Sequence, residues 1–288
     1  MPTRHKKEII QLERFATEIR LETLKEIKNL GFGHIGGSMS VVELLAVLYG
    51  KVMNIDPENP KWKDRDYLVV SKGHSGPAVY ATLALKGYFP VEDLMTLNVD
   101  GTKLPSHCDK NMTPGIDMTT GSLGQGTSTS IGIALGNKLD KRDSYTYLVV
   151  GDGELNEGQC WEAVMFAAHH QMDNLICFVD NNKKQLDDYV KKINNPYVFE
   201  EKFAAFGWDA CTVKGDDVEA IDNAISKAKT VKGKPSVIVL DTIKGQGVPF
   251  VENTFANHSI KFGETQHKEA DITIRALEEK LGKSRIGV

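Results

Sequence analysis

No apolar run in the sequence is long enough to cross a membrane, which takes about 20 consecutive apolar residues as a helix. Neither charge is in large surplus: 35 Lys and Arg stand against 39 Asp and Glu, a formal net charge of −4. Phosphate-backbone binding leaves a basic excess, so nucleic acid is excluded as the main partner. Cysteine is scarce, with Cys108, Cys160, Cys177 and Cys211 far apart and no CxxC pair. They read as free, mostly buried thiols in a reducing cytosol, not as a disulfide framework or a structural metal site. The basic start, through Lys6 and Lys7, leads into Glu8 and Glu13 rather than an apolar signal core. Internal repeats, low-complexity tracts and linkers are absent as well. What is there is the composition of a soluble globular protein, 41 % hydrophobic and 26 % charged, apolar enough to collapse. The expectation is one cytoplasmic domain over residues 1–288.

Apolar residues at helical spacing predict a helix from about Glu8 to Leu30. Gly31, Gly33, Gly36 and Gly37 break it and leave backbone open to close approach. Further helices are expected over 41–52, 77–86, 161–171, 200–206, 218–228 and 272–281. Apolar runs predict strands at 67–71, 147–150, 175–179 and 237–240, and 209–213 is strand-like. The polar stretch from Asp100 to Thr120 reads as a long ordered loop, and such loops are commonly functional. The strands are continuously apolar rather than alternating, so both sheet faces are covered. The fold class is α/β, a mostly parallel sheet with helices on both faces. Sites in such sheets lie beyond the carboxyl ends of the strands.

The strongest chemical signal lies there. Val149-Val150-Gly151-Asp152-Gly153-Glu154 ends one strand, and Asp180-Asn181-Asn182 ends the next in sequence. If those strands are near neighbours, a carboxylate and an amide oxygen meet on one rim. Hard oxygen donors of this kind suit Mg²⁺, which keeps few protein ligands and takes the rest from phosphate and water. Gly153 removes a side chain that would block a diphosphate, and the helix that follows adds amide donors. Either peptide alone is an ordinary turn former; the pair, with a βαβ unit between them, points to a metal–diphosphate site.

GDG followed about 30 residues later by NN is the thiamine-diphosphate signature, and its surroundings resemble transketolase. Four further segments carry the likeness: Gly33-His34-Ile35-Gly36-Gly37-Ser38, Ser71-Lys72-Gly73-His74, Thr120-Gly121-Ser122-Leu123-Gly124-Gln125-Gly126 and Lys244-Gly245-Gln246-Gly247. The resemblance runs from about residue 10 to 265 and corresponds to the first, diphosphate-binding part of a full-length transketolase. It implies that Asp152, Asn182 and the backbone carbonyl of Lys184 hold a divalent metal (Mg²⁺, or Ca²⁺ or Mn²⁺). It places His74, Gly153, Lys244 and His258 on the diphosphate of thiamine diphosphate, with Asn182 also at the cofactor, and Gly121 and Leu123 against its aminopyrimidine. His34, His107 and His258 would line the catalytic carbonyl pocket, where a group titrating near neutrality can shuttle protons. His5, His169, His170 and His267 read as surface or structural, and Trp161, Phe166 and Phe178 as core. Ile35, Asp188 and the segment from Phe255 to Gly263 depart from the family pattern around the pocket.

By resemblance, the expected activity is transfer of a two-carbon ketol unit from a ketose or its phosphate to an aldose or its phosphate. Only 30 residues follow His258, so the pyrimidine-binding domain that follows in full-length transketolases is expected on a second polypeptide, the C-terminal subunit, in an α₂β₂ assembly. A deoxyxylulose-phosphate synthase-like or 2-oxo acid dehydrogenase-like subunit shares the signature. His107 and the Thr120–Gly126 segment favour transketolase over these. A non-catalytic paralogue would keep the cradle without needing His34 and His107.

Overall fold

The computed structural model describes residues 4–286 of the chain. Helix α1, Arg4–Leu30, starts four residues before the periodic stretch and buries Leu12, Ala16, Ile19, Leu24 and Ile27. After Gly31 the chain forms a two-residue strand β1, Phe32–Gly33, the short helix α2, Ile35–Met39, and α3, Val42–Val47, which runs on as one wider turn, Leu48–Val52. Strand β2 is Tyr67–Val70, followed by α4, Gly76–Leu85. Then come α5, Gln125–Leu139, β3, Thr146–Gly151, α6, Gly158–His169, and β4, Leu175–Asn181. The short α7, Val190–Ile193, and α8, Phe199–Ala205, lead to β5, Asp209–Lys214. The chain ends through α9, Val218–Ala228, β6, Ser236–Asp241, α10, Pro249–Glu252, β7, Ile260–Lys261, and α11, Glu264–Ile286.

Five strands pair in the order β2-β3-β4-β6-β5, every pair parallel. Alternate residues of each strand serve opposite layers. Leu68, Val70, Tyr147, Val149, Ile176, Phe178, Ile238 and Leu240 join the core with α1, α3, α4 and α9. Val69, Leu148, Val150, Cys177, Val179, Val237 and Val239 join the core with α5, α6 and α8. Two-sided burial is why these strands are apolar throughout, and the α/β class expected from them is what the chain adopts. Because the strands are parallel, the residues after β2, β3, β4 and β6 emerge on one rim. There Ser71–His74, Gly151–Glu154, Asn182–Gln185 and Thr242–Gly247 meet.

Some elements differ from expectation. Helix α5 carries Gly126, Gly132, Gly136 and several Ser and Thr, so its apolar stripe is weak in sequence; Ile131 and Ala134 bury it all the same. Strand β1 pairs antiparallel with β7, Phe32 opposite Lys261 and Gly33 opposite Ile260, and this brings the His258 segment to the His34 segment. Phe166, expected in the core, is 43 % exposed and lies against the His170 ring on the outer face of α6. Phe178 is fully buried, and Trp161 packs against the α6 side core. All four cysteines are free, three of them buried. Among the described residues no helix is long and apolar enough to cross a membrane.

Candidate active site

The rim holds a pocket of about 250 Å³. Its histidine side is formed by His34, His74, His107 and His258, from four segments that are far apart in sequence. The His34 ring centroid lies 5.3 Å from that of His107, 5.2 Å from His258 and 5.7 Å from His74, and His74 lies 4.7 Å from His258. The opposite side carries Asp152, Gly153, Asn182, Lys184 and Lys244, with Gly121 and Leu123 at the third edge. Every residue singled out as a site residue from the sequence therefore lines this one pocket.

Local structure explains how each gets there. His34 caps α2, whose Gly36 and Gly37 admit close neighbours: a Cβ at Gly36 would stand 2.2 Å from the Asn257 carbonyl, and one at Gly37 3.0 Å from His74 Nε2. His107 sits in the 100–120 loop, which Cys108 and Thr120 close backbone to backbone and Tyr80 ties down by donating to the Pro105 carbonyl. His258 is held from below by buried Asn257, whose Nδ2 donates to the carbonyls of Lys244 and Val251, both at 2.9 Å. Asn257 thus does the anchoring in the segment that departs from the family pattern. Near Asp188, a further departure, the Gln185 backbone amide donates to the Asp188 carbonyl and closes the loop after Asn182 into a tight turn.

The expectation that the two strand ends adjoin holds: β3 and β4 are direct neighbours, with Gly151 opposite Asp180. Asp152 accepts from the amides of Gly153 at 2.8 Å and Lys183 at 2.5 Å. Even so, burial, with the nearby Asp180 charge adding, pushes its carboxyl up to about 7. Lys244 Nζ donates to the carbonyls of Lys184 at 3.1 Å and Gln185 at 3.2 Å and meets His258 Nδ1 at 3.2 Å. Burial first, then the charge of Lys72, pulls its ammonium down to about 8. A carboxylate held up and an ammonium held down in one pocket are groups short of counter-charge, which a divalent cation and a polyanion respectively provide.

The histidines behave otherwise than expected. Burial lowers all four: His34 and His107 below the usual value, His74 well below it, and His258 to about 3, where Lys244 and His34 add to the effect. In the chain as it stands they are neutral hydrogen-bonding groups, not groups poised at neutrality. The ammonium of Lys244 donates to His258 Nδ1, so the ring proton of His258 sits on Nε2.

Five lining residues went unassigned in the sequence: Lys72, Gly151, Glu154, Gln185 and Leu186. Glu154 accepts from the amides of Gly124 at 2.8 Å and Gly151 at 3.0 Å and from the Ser71 hydroxyl, so it fastens the Gly121–Gly124 turn to the ends of β2 and β3. Its only sequence signal is its place beside the GDG motif. A Cβ on Gly153 would come 2.7 Å from Gln185 Cβ, and buried Gln185 Nε2 has no hydrogen-bond partner among the described residues. That combination, a cradle only glycine permits and an unused donor beside it, fits a phosphate group. Among the described residues no three His, Cys, Asp or Glu side chains gather to hold a metal alone. A cation here would use Asp152, the Asn182 amide oxygen and the Lys184 carbonyl together with phosphate oxygens, and Lys244 would then leave that carbonyl for the diphosphate.

Comparison with known proteins identifies the family. The family model described as "Transketolase, thiamine diphosphate binding domain" matches residues 12–282. The chain is 52 % identical over 261 residues to SqwG of Clostridium sp. (strain MSTE9), a 6-deoxy-6-sulfo-D-fructose transketolase subunit, covering 91 % of this chain and 95 % of that protein. It is 36 % identical over 256 residues to an apulose-4-phosphate transketolase subunit of Phocaeicola vulgatus, covering 88 % of this chain and 90 % of that one. Among solved structures it resembles the Pichia stipitis transketolase complex with sedoheptulose-7-phosphate, TM-score 0.83 at 30 % identity over 96 % of this chain. The Campylobacter jejuni transketolase gives TM-score 0.84 at 27 % identity over 94 % of this chain. The chain spans 44 % and 45 % of the length of those two transketolases. With the family model matching over nearly its whole length, the chain belongs to the transketolase family, as its thiamine diphosphate binding domain.

Proposed function

We propose that this chain is the cofactor-holding subunit of a two-chain transketolase that moves a two-carbon ketol unit from a ketose to an aldose, with thiamine diphosphate and Mg²⁺ (Ca²⁺ or Mn²⁺ in its place). The observation that carries the reading is the convergence in one pocket of an oxygen-donor side, Asp152, Asn182 and Lys184, and a neutral imidazole side, His34, His107 and His258. Thiamine diphosphate when bound supplies the electron sink that lets a ketose C–C bond break. The chain's own residues then have separable tasks. Asp152, Asn182 and the Lys184 carbonyl hold the cation; His74, Gly153 and Lys244 hold the diphosphate, and His258 borders it. Gly121 and Leu123 support the aminopyrimidine. His34, His107 and His258 donate to substrate oxygens, as neutral imidazoles can, and stabilise charge that develops there.

Relatives of matching length are named as subunits, which supports a partner chain; in this reading that partner carries the pyrimidine-binding domain and the two chains form an α₂β₂ assembly. Their names also place 6-deoxy-6-sulfo-D-fructose and apulose-4-phosphate first among sugars to try. The test is ketol transfer by the chain with its partner over a panel of these and of common ketose phosphates and free sugars, beside an Asp152→Ala variant. The variant should lose Mg²⁺-dependent thiamine diphosphate binding in calorimetry while its circular dichroism stays unchanged. Wild-type cofactor affinity in that variant contradicts the assignment of Asp152.

A further inference from the structure

Beneath the pocket lies a second carboxylate, Asp180, at the end of β4 and fully buried. Four segments converge on it. Ser40 Oγ donates to its Oδ2 at 2.6 Å and Asn182 Nδ2 at 2.8 Å, Thr242 Oγ1 donates to its Oδ1 at 2.5 Å, and the Lys72 ammonium is bonded to Oδ2. Lys72, 1 % exposed, has its other bond at 2.8 Å to the Gly37 carbonyl, which Ser75 Oγ also reaches at 2.8 Å.

This arrangement settles two matters of chemistry at the rim. An asparagine amide can face a site with either end, and its partners decide which. A carboxylate accepts and cannot donate, so Asp180 takes the NH₂ end of Asn182. The Oδ1 end is turned the other way, where the Lys184 amide approaches it at 3.2 Å. A carbonyl oxygen has two lone-pair directions, and one remains for a cation. Two aspartates at adjacent strand ends would otherwise both be candidates for the cation. Asp180 is committed through both oxygens and carries the Lys72 charge as its counter-ion, whereas Asp152 is bonded by backbone amides alone.

We infer that Asp180, paired with Lys72, is a positioning residue for the divalent cation: it sets the Asn182 amide with its oxygen toward the pocket and leaves Asp152 as the single carboxylate that meets the metal. The inference deepens the cofactor reading above and rests on it. Partners that hold metal ligands from behind typically affect affinity by about 10- to 100-fold. Breaking a buried pair on one side only leaves a buried charge alone, whereas removing both charges is often close to neutral for stability.

The experiment measures two quantities on the full chain: the unfolding midpoint without metal, and the Mg²⁺ dissociation constant by calorimetry with thiamine diphosphate saturating. Lys72→Met and Asp180→Asn should each lower the midpoint. The double variant Lys72→Met with Asp180→Asn should regain most of it yet bind Mg²⁺ at least about tenfold more weakly, because the Asn182 amide is free to turn. Lys72→Arg should keep both quantities near wild type. Thr242→Val removes one donor and no charge. It should lower the midpoint less than either charge-removing single variant, since Oδ1 loses its donor, and weaken Mg²⁺ by a smaller factor, and it serves if the double variant does not fold. A folded double variant, or Thr242→Val in its stead, with wild-type Mg²⁺ affinity overturns the inference and leaves the pair a structural one. Absence of Mg²⁺ and cofactor binding in the wild-type chain overturns the cofactor reading itself, and this inference with it.

Discussion

His107 and Glu26 show how differently two buried or half-buried polar residues can be used. His107 reaches the pocket from a loop, and its edge lies near the backbone of Gly121, where a Cβ would come 3.1 Å from its ring. In the proposed function it stands on the substrate side of the site, one donor among three imidazoles. His107→Ala should bind cofactor as the wild type does and turn over about a hundredfold more slowly, since one well-placed donor to a developing oxyanion is worth roughly 3 kcal/mol. Calorimetry and steady-state rates on the assembled enzyme separate the two effects. Loss of cofactor with an unchanged rate at saturation would place His107 on the diphosphate side instead. Glu26, by contrast, is on α1, fully buried, and neither of its oxygens has a partner among the described residues. Burial, with Glu22 adding, raises its carboxyl well above the usual range. The folded chain therefore holds this proton where the unfolded chain releases it, and stability falls as pH rises above about 4.3. Glu26→Met should raise the unfolding midpoint at pH 8 by more than at pH 5 and flatten that part of the pH–stability profile. A midpoint that drops equally at both pH values contradicts a neutral, unpartnered Glu26.

Motifs made the histidines legible in the sequence because each follows a glycine or lies between turn residues at the end of an element. Lys72, Glu154 and Asp180 lie within the same motifs, yet nothing in the sequence marks what they do. A lysine or glutamate in a sequence reads as a solvated face, and only tertiary burial turns it into a fastening point.

At the scale of elements, α1 is joined to the segment that carries Lys244. Arg20 is buried on α1, donating to Glu43 at 2.6 Å and to the Gln246 carbonyl at 3.1 Å, and Gln246 Nε2 returns to Glu43 at 3.1 Å. Gly247, with φ +78°, fits beneath it; a Cβ there would stand 2.3 Å from Arg20 Nε. So the Lys244-Gly245-Gln246-Gly247 segment owes its glutamine and last glycine to an ion pair on two helices, and its lysine to the pocket. Arg20→Met leaves Glu43 buried with a single amide for company and should cost about 3–5 kcal/mol. Urea unfolding measures that loss, and adding Glu43→Met should restore most of it. A double variant no better than Arg20→Met shows that Arg20 acts by packing alone. Strands β2, β3, β4 and β6 were readable because burial on both faces demands apolar runs. Helix α5 was not, since small residues that let it lie against the sheet also erase its periodicity.

For the whole molecule, Leu186, which lines the pocket, is 65 % exposed, as are Ile243, next to Lys244, at 58 % and Phe255, whose ring lies 5.5 Å from the Lys184 ammonium, at 52 %. Apolar groups beside a polar site fit coverage by another protein, and permanent assemblies bury large apolar areas. The chain alone should self-associate in sedimentation velocity. Saturated with thiamine diphosphate and Mg²⁺, it should show no C2–H/D exchange above the free cofactor, and adding the second chain should restore exchange and turnover. Turnover by the chain alone excludes the two-chain reading.

The sequence by itself determined the α/β class, because apolar strands alternating with helices have few other ways to bury both sheet faces, and it marked the pocket, because glycines, oxygen donors and histidines cluster at strand ends. Tertiary structure alone decided the protonation of the histidines, the pairing of β1 with β7 that seats His258, and the burial of Asp180 beneath the rim. Those depend on which residues far apart in sequence exclude water from one another, and no local pattern records that.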